Sequence, residues 1–219
     1  MLSKGKIKLI KSLNLKKYRD KYGLFVAEGS KSILELSEYF ICESLIATTE
    51  WLEKNNISCE ECINVNEKDL KKISNFKTPQ EVLAVFRKKE NELSITDINN
   101  QLSIYLDEIQ DPGNLGTIIR IADWFGIKNI ICSLNTVDAF NFKTVQASMG
   151  SIARVNISYK EAENIFPLLE KDLAIMGAFL NGENIYTCSL PQKGIIVMGN
   201  EGNGISSEVA AFVTKKIHI

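Results

Sequence analysis

One segment in the second half of the chain has the pattern of a buried strand, a tight turn and a helix. The apolar run from Ser103 to Asp107 ends in an acid, and the turn-forming residues 111–114 (DPGN) follow closely. Asn114 is a candidate N-cap for the helix, and Arg120 falls within the first two turns of that helix. Ligands of parallel α/β sheets bind at the carboxyl ends of the strands. The segment therefore predicts an α/β fold in which an amide and a guanidinium face one crevice.

A second glycine-rich turn lies near the end of the sequence. Residues 194–198 (GIIVM) form a continuous apolar run, typical of a strand covered on both faces, and residues 199–204 (GNEGNG) follow it. Closely spaced glycines let a backbone approach a flat ligand. The pattern is neither G-x-G-x-x-G nor a Walker loop, so a nucleotide-dependent Rossmann enzyme has only the sheet in its favour.

These two turns resemble the motifs of a known family. Residues 114–122 (NLGTIIRIA) resemble the first motif of the SpoU (TrmH) family of RNA ribose 2′-O-methyltransferases, and residues 198–206 (MGNEGNGIS) resemble the second. Residues 146–151 (QASMGS) are similar to the segment between them. The resemblance covers the whole C-terminal half. It implies a parallel-sheet catalytic domain of the SPOUT (trefoil-knot) type, S-adenosyl-L-methionine as cofactor and RNA as substrate.

The resemblance also implies roles for individual residues. Arg120 would lie beside the target hydroxyl and its phosphate; family proposals make this arginine a base. A guanidinium has a pKa above about 12, so stabilising a developing alkoxide is the easier role. Asn114 would orient Arg120 or the ribose, and Glu201 would hold the loop or the ribose. The implied cofactor contacts are Leu180, which would border the adenine, Gly199, Gly202 and Ile217.

Structural alternatives remain open for these side chains. Arg120 could form a surface salt bridge, Asn114 could be a plain helix cap, Glu201 could be an exposed turn acid, and Leu180 could pack in the core. No metal ligand set is visible in the sequence, and the implied reaction needs no metal.

The first half of the chain alternates helix and strand patterns. They predict a small α/β/α substrate-binding domain over residues 1–88, followed by a polar linker at 89–100 and the methyltransferase domain at 101–219. The first predicted helix covers residues 3–16, and helices are also expected near 161–170 and 205–214 in the methyltransferase domain. The basic start, residues 25–29 (FVAEG) and residues 78–85 (TPQEVLAV) resemble the ribosomal-protein-like RNA-binding domain that often precedes a SpoU domain. This resemblance favours ribosomal RNA over transfer RNA as the substrate.

Charge is distributed unevenly along the chain, although the net charge is −1. Residues 1–21 contain eight lysines and arginines against one aspartate, which is a plausible phosphate-facing surface. An ordinary solvated amphipathic helix is the alternative, because Ile7, Ile10 and Leu13 form an apolar stripe at helical spacing. The predicted RNA-binding residues are Lys4, Lys6, Lys8, Lys11, Lys16, Lys17 and Arg19.

The rest of the composition indicates a cytoplasmic protein that does not enter a membrane. No apolar run approaches the length of a membrane span, and the lysine-containing N-terminus lacks the apolar region of a signal peptide. Five cysteines form no paired framework. The C-x-x-C at Cys59–Cys62 has neither a second pair nor a nearby histidine, which favours ordinary reduced cysteines.

The sequence departs from the family pattern at its end. It stops at Ile219, where the family's third motif normally begins, so we expect the methyltransferase domain to lack its C-terminal knot segment. Members of the family pair through the knot region, which predicts a homodimer. A non-catalytic RNA-binding protein is the alternative if the chain truly ends at Ile219.

Overall fold

Helices and strands alternate through the first ninety residues of the computed structural model, which describes residues 2–89 and 92–218. They are α1 (Lys4–Ser12), α2 (Lys16–Tyr22), β1 (Leu24–Glu28), α3 (Ser30–Ser37), β2 (Cys42–Ala47), α4 (Thr49–Lys54), β3 (Cys59–Asn64), α5 (Glu67–Ile73) and β4 (Val82–Arg87). The helix predicted over residues 3–16 is confirmed for Lys4–Ser12, and its predicted end is wrong. The chain turns at residues 13–15, where Leu13 is buried and Asn14 donates a hydrogen bond to Asn75 Oδ1 at 2.7 Å.

The second half continues the alternation with longer connections. Its elements are α6 (Ile95–Asn100), β5 (Leu102–Leu106), α7 (Pro112–Trp124), β6 (Asn129–Cys132), α8 (Phe142–Ser148), β7 (Asn156–Tyr159), β8 (Ile175–Asn184), β9 (Gly194–Met198), α9 (Ser207–Ala210) and β10 (Lys215–His218). Helix α6 occupies part of the stretch predicted as a linker. Glu90 and Asn91 of that stretch, and the terminal Ile219, lie outside the described residues.

Three details differ from the sequence-based expectations. Asp111, not Asn114, caps α7, and it accepts a hydrogen bond from the Asn114 N–H at 2.8 Å, with Pro112 in the first turn. The helix predicted over 161–170 is two 3₁₀ turns, Ala162–Asn164 and Phe166–Leu168. Pro167 has no N–H to donate to a continuous helix. Only Ser207–Ala210 is α-helical within the stretch predicted as helix over 205–214.

The strands form two sheets of different kinds. The first sheet has the order β1-β4-β2-β3, in which β4 runs antiparallel to both of its neighbours and β2 runs parallel to β3. The second has the order β10-β8-β9-β5-β6-β7, and all its neighbouring strands are parallel. The predicted α/β fold with a parallel sheet is therefore confirmed, while the knot stays a prediction.

The elements group into two compact units. One consists of Met1–Glu90 and Asp138–Ala153, and the other of Asn91–Val137 and Arg154–Ile219. In the second unit, Tyr105 and Val197 on adjacent central strands are fully buried, and the Phe166 ring lies 5.0 Å from the Tyr105 ring. Among the described residues, no helix has the length and apolar character needed to cross a bilayer.

The first unit includes a segment from far along the chain. Phe140, which precedes α8, places its ring 4.8 Å from the ring of Phe25 on β1. Asp138 forms a buried ion pair with Arg19 of α2, with 2.6 Å between Arg19 NH2 and Asp138 Oδ2. Residues 138–153 thus contribute both apolar packing and a charge pair to this unit.

Candidate active site at the carboxyl ends of the parallel strands

Pairing of β5 with β9 brings the two glycine-rich turns side by side. Leu106 pairs with Met198 at the last position of both strands, and the Asp107 N–H donates to the Met198 carbonyl at 2.9 Å. Because both strands run in the same direction, the turns after them leave the sheet at the same edge. This register positions the candidate site.

Asn114 and Glu201 meet across this edge. The Asn114 side-chain amide donates a hydrogen bond to Glu201 Oε1, although the two residues are 87 positions apart in the sequence. The two predicted catalytic residues are therefore brought together, and neither the helix cap nor the isolated turn acid describes them.

Arg120 lies apart from this pair. It is exposed on α7 and has no hydrogen bond or ion pair with any residue that the structure describes. Six helical positions separate it from Asn114, which is roughly 9 Å along the axis and about 120° around it. Asn114 thus orients Glu201 rather than Arg120, and the guanidinium is presented to solvent.

Glu108 connects three loops at the same edge, and sequence reasoning missed it. Its backbone is in the left-handed region, with φ of 57°. Its carbonyl accepts from Asn200 Nδ2 at 2.9 Å, its N–H donates to Ser133 Oγ at 2.9 Å, and its Oε1 accepts from Asn135 Nδ2 at 2.8 Å. A glutamate gives no sequence signal for this conformation, which usually favours glycine or asparagine.

Asn200 holds the second turn in shape. Its Oδ1 accepts the N–H groups of Gly202 at 2.9 Å and Asn203 at 3.2 Å, while its backbone forms a bridge to Gly204. Together with the bond to Glu108, these contacts fix the loop that carries Glu201.

An open cavity of about 590 Å³ lies beside this loop. Its walls combine residues of β8, the second turn and β10; among them are Leu180, Glu201, Gly202, Ile217 and His218. Leu180 is 96% exposed, so core packing does not explain it. His218, which was not predicted as a site residue, also lines the cavity.

Gly199 and Gly202, the two glycines predicted to contact the cofactor, differ in whether the fold leaves room for a side chain. A Cβ at Gly199 would lie 2.2 Å from the carbonyl carbon of Gly204, so the fold itself excludes a side chain there. At Gly202, the one described contact within 4 Å of an added Cβ would be Asn200 Oδ1, at 3.5 Å. The protein leaves that space open toward the cavity. Apolar walls with a few convergent polar groups, in a volume of this size, are typical of small-molecule sites.

Buried titratable groups near the site are held neutral. Burial, followed by the charges of Asp107 and Glu161, raises the pKa of Tyr105 well above its ordinary value. Burial raises the pKa of Cys132 in the same way. Neither group is an available base at neutral pH, which leaves proton handling to groups at the exposed edge.

The predicted RNA-binding cations lie on α1 and α2 of the first unit, and most of them are exposed. Lys6 is partly buried and pairs with Glu61 Oε2 at 2.5 Å. Arg19 is buried between Asp138 and the Leu13 carbonyl, to which it donates at 2.8 Å. The sequence-based assignment of Arg19 to the RNA-facing surface is corrected for this reason: its charge is already neutralised inside the unit.

The C-x-x-C residues are on β3 beside a third cysteine. Burial raises the pKa of the Cys42 thiol to about 12, and the neighbouring Cys59 and Cys62 add to the effect. Burial also raises the pKa of Cys59. A reactive thiolate needs a lowered pKa, so Cys42 and Cys59 are ordinary thiols in the structure. In the part of the chain that the structure describes, no three His, Cys, Asp or Glu side chains are grouped as metal ligands would be.

Family comparison agrees with the fold and with the two turns. A sequence model of the SpoU rRNA methylase family matches residues 101–219, more than half of the chain, and a model of the MRM3-like substrate-binding domain matches residues 4–84. The chain therefore belongs to the SpoU rRNA methylase family, as its motifs predict.

Individual relatives fall within the same family. The chain is 28% identical to the 23S rRNA (guanosine(2553)-2′-O)-methyltransferase RlmP of Bacillus subtilis, over 92% of this chain and 82% of that protein. A solved structure from Porphyromonas gingivalis, assigned to the TrmH family of RNA methyltransferases, matches with a TM-score of 0.91 at 37% identity, covering 100% of this chain and 89% of that one. An AdoMet-bound rRNA methyltransferase from Sinorhizobium meliloti matches with a TM-score of 0.82 at 28% identity, covering 100% and 87%.

Proposed function

We propose that this protein is an S-adenosylmethionine-dependent methyltransferase that modifies a ribose 2′-hydroxyl of ribosomal RNA. The observation that carries the proposal is the Asn114–Glu201 hydrogen bond, which joins the two family motifs at the edge of a cavity lined by Leu180, Gly202 and Ile217. Relatives that methylate ribosomal RNA, and one with AdoMet bound, support the substrate and the cofactor.

The cofactor belongs in the cavity beside the second turn. Leu180 and Ile217 offer apolar contact to an adenine, and the space beside Gly202 allows close approach of the backbone. Bound there, S-adenosylmethionine supplies the electrophilic methyl group. The protein's own contribution is to align a ribose hydroxyl with that methyl group, which is chiefly a matter of position.

Three groups of side chains act on the RNA in this proposal: Arg120, the Asn114–Glu201 pair and the exposed lysines. Arg120 binds the phosphate next to the target ribose and stabilises the alkoxide that forms as the hydroxyl loses its proton to solvent water. Glu201, held by Asn114, binds the ribose and keeps the second turn in place. Lys4, Lys8, Lys11, Lys16 and Lys17 provide the sequence-independent attraction for RNA.

A homodimer is part of the same proposal. Ile121, Trp124 and Phe125 form an exposed apolar patch at the end of α7, and Trp124 is 85% exposed. Large apolar groups that lie together on a surface are characteristic of interfaces.

Cytoplasmic location is supported by the five free cysteines, since a reducing compartment keeps thiols unpaired.

Methyl transfer to purified RNA tests the proposal. The 219-residue chain is incubated with labelled S-adenosylmethionine and either unmodified ribosomal RNA or transfer RNA, and nucleosides are then identified by mass spectrometry. We expect 2′-O-methylnucleosides from ribosomal RNA. Arg120→Met should lower the rate roughly 10²- to 10³-fold, the usual loss when one transition-state donor is removed, whereas Arg87→Met in the other unit serves as the matched control.

Three results would count against the proposal. Absence of both cofactor binding by calorimetry and methyl transfer would leave the alternative of a non-catalytic RNA-binding protein. Methylation of a base would contradict the ribose assignment, and preferential methylation of transfer RNA would contradict the substrate.

A further inference from the structure

Helix α2 combines exposed cations with a pair of stacked aromatic rings. Tyr18 and Tyr22, one helical turn apart, have ring centroids 6.2 Å apart and planes inclined by only 11°. The Lys17 ammonium lies 5.0 Å from the Tyr18 centroid, and the Lys21 ammonium lies 5.4 Å from the Tyr22 centroid. Tyr22 is 44% exposed. Two rings and two ammonium groups therefore alternate along one short surface.

The other side of α2 is fixed to the first unit. Arg19 donates to Asp138 Oδ2 at 2.8 Å and to the Leu13 carbonyl at 2.8 Å, which sets the rotation of the helix. Asp20, the acid of α2, is paired with Lys88 at 2.7 Å. The surface that α2 presents is therefore positive and aromatic, and it is held rigidly.

We propose that the Tyr18–Tyr22 pair stacks on an unpaired nucleobase of the RNA substrate, while Lys17 and Lys21 bind the adjoining phosphates. Aromatic rings stack on any base, and interleaved cations follow the backbone, in proteins that bind single-stranded nucleic acid. The attraction between an ammonium group and an exposed ring is weak. A nucleobase can therefore replace the ammonium group on the ring, and the ammonium group can then bind a phosphate. The inference rests on the proposed function only in taking RNA as the ligand.

This stacking platform, formed by the rings of Tyr18 and Tyr22 with Lys17 and Lys21 beside them, predicts selectivity for single-stranded RNA. Bases in a duplex are stacked on each other and hide their faces, whereas phosphates remain accessible in both forms. The two parts of the surface should therefore separate in experiments: the rings should affect single-stranded RNA alone, and the lysines should affect both forms and the salt dependence.

The test measures binding of the whole chain to fluorescein-labelled RNA by anisotropy. The probes are a 12-nucleotide oligoadenylate, a 12-base-pair duplex and the same oligoadenylate with abasic sites. Tyr22→Leu should weaken oligoadenylate binding roughly tenfold or more, the effect of removing a base-stacking ring. Its salt slope and its duplex affinity should be unchanged, and the abasic strand should be insensitive to the substitution. Tyr22→Phe should retain binding.

Matched variants separate stacking from charge and from folding. Tyr39→Leu removes a tyrosine of similar exposure, 38%, on the same unit and should have no effect. Lys17→Gln combined with Lys21→Gln should weaken both forms of RNA and reduce the salt slope by about 0.7 per lost phosphate contact on the single strand. Circular dichroism confirms that each variant keeps its helices.

Specific outcomes overturn the platform. It fails if Tyr22→Leu binds oligoadenylate as the parent does, or if single-strand and duplex affinities fall equally. Methyl transfer is measured on the same preparations. If the parent protein transfers methyl groups but its RNA binding does not depend on Tyr22, the platform is overturned and the proposed function remains. If binding depends on Tyr22 but the parent transfers no methyl group, the proposed function is overturned and the platform remains.

Discussion

Removing Arg19 should destabilise the first unit by about 3–5 kcal/mol, the range for breaking one partner of a buried ion pair. The side chains of Arg19 and Asp138 are only 3% and 8% exposed, so water cannot replace the lost partner. Arg19→Met deletes two contacts to Asp138 Oδ2, at 2.6 and 2.8 Å, and one to the Leu13 carbonyl. The Asp138 carboxylate then still accepts a hydrogen bond from the Phe140 N–H, at 3.1 Å from its Oδ1. At 1.4 kcal/mol per factor of ten, the unfolding constant rises by about two to three and a half orders of magnitude.

Urea unfolding followed by tryptophan fluorescence measures this loss. Trp51 lies in the first unit and is 2% exposed, so its emission should change strongly when that unit unfolds. A Trp124→Phe background removes the signal of the second unit. Arg87→Met is the control, because its partners Glu43 and Glu60 are on the surface and exposed pairs contribute at most about 1 kcal/mol.

A double variant separates the two causes of the loss. Arg19→Met with Asp138→Leu removes the orphaned carboxylate as well as the guanidinium. It should recover part of the stability, because the cost of a broken buried pair is mainly that of an uncompensated charge. If Arg19→Met costs no more than Arg87→Met, the reasoning about burial is wrong.

Three further predictions concern the loop, the surface pair and the apolar patch. Asn200→Ala should weaken cofactor binding by calorimetry, because the second turn loses three hydrogen bonds that fix it; an unchanged affinity would show that these bonds do not organise the cavity. The hydrogen bond from Lys6 lowers the pKa of Glu61. The contribution of this bond to folding stability is therefore fully present above the pKa of the unfolded chain, and it is lost as pH falls through the lowered pKa of the folded protein. Lys6→Gln should move the pKa of Glu61 up toward its ordinary value in an NMR titration, and no movement would contradict the pairing. Trp124→Glu should shift the protein from dimer to monomer in analytical ultracentrifugation, and a persisting dimer would exclude the α7 patch as its interface.

Motif spacing predicted the central part of the site, because parallel strands deliver their following turns to one edge. The turns after β5 and β9 are recognisable from local residue types, and their meeting follows from strand direction alone. Which side chains touch did not follow: Asn114 was assigned to a cap position that Asp111 takes, and its amide reaches Glu201 instead. The cap competition depends on one turn of backbone geometry, and Pro112 settles it by favouring the first helical position.

Two other features were beyond pattern reasoning for different reasons. Arg19 belongs to a run of surface cations by composition, and only the distant Asp138 makes its burial favourable. Glu108 adopts a conformation for which its residue type gives no indication, and it is held there by contacts from two other loops. In both cases the deciding partner lies far away in the sequence.

The discontinuity of the first unit affects the order in which the protein is made and folded. A ribosome that has released only the first ninety residues has supplied neither Asp138 nor Phe140, so in the nascent chain Arg19 lacks its carboxylate partner and Phe25 lacks one of its packed rings. Completion of the unit must wait until synthesis passes residue 153, by which time β5 and β6 have also emerged. Domains usually fold as units in N- to C-terminal order during synthesis. Here the earliest part of the chain depends on a later one, and an isolated fragment that ends before α6 would lack part of its own interior.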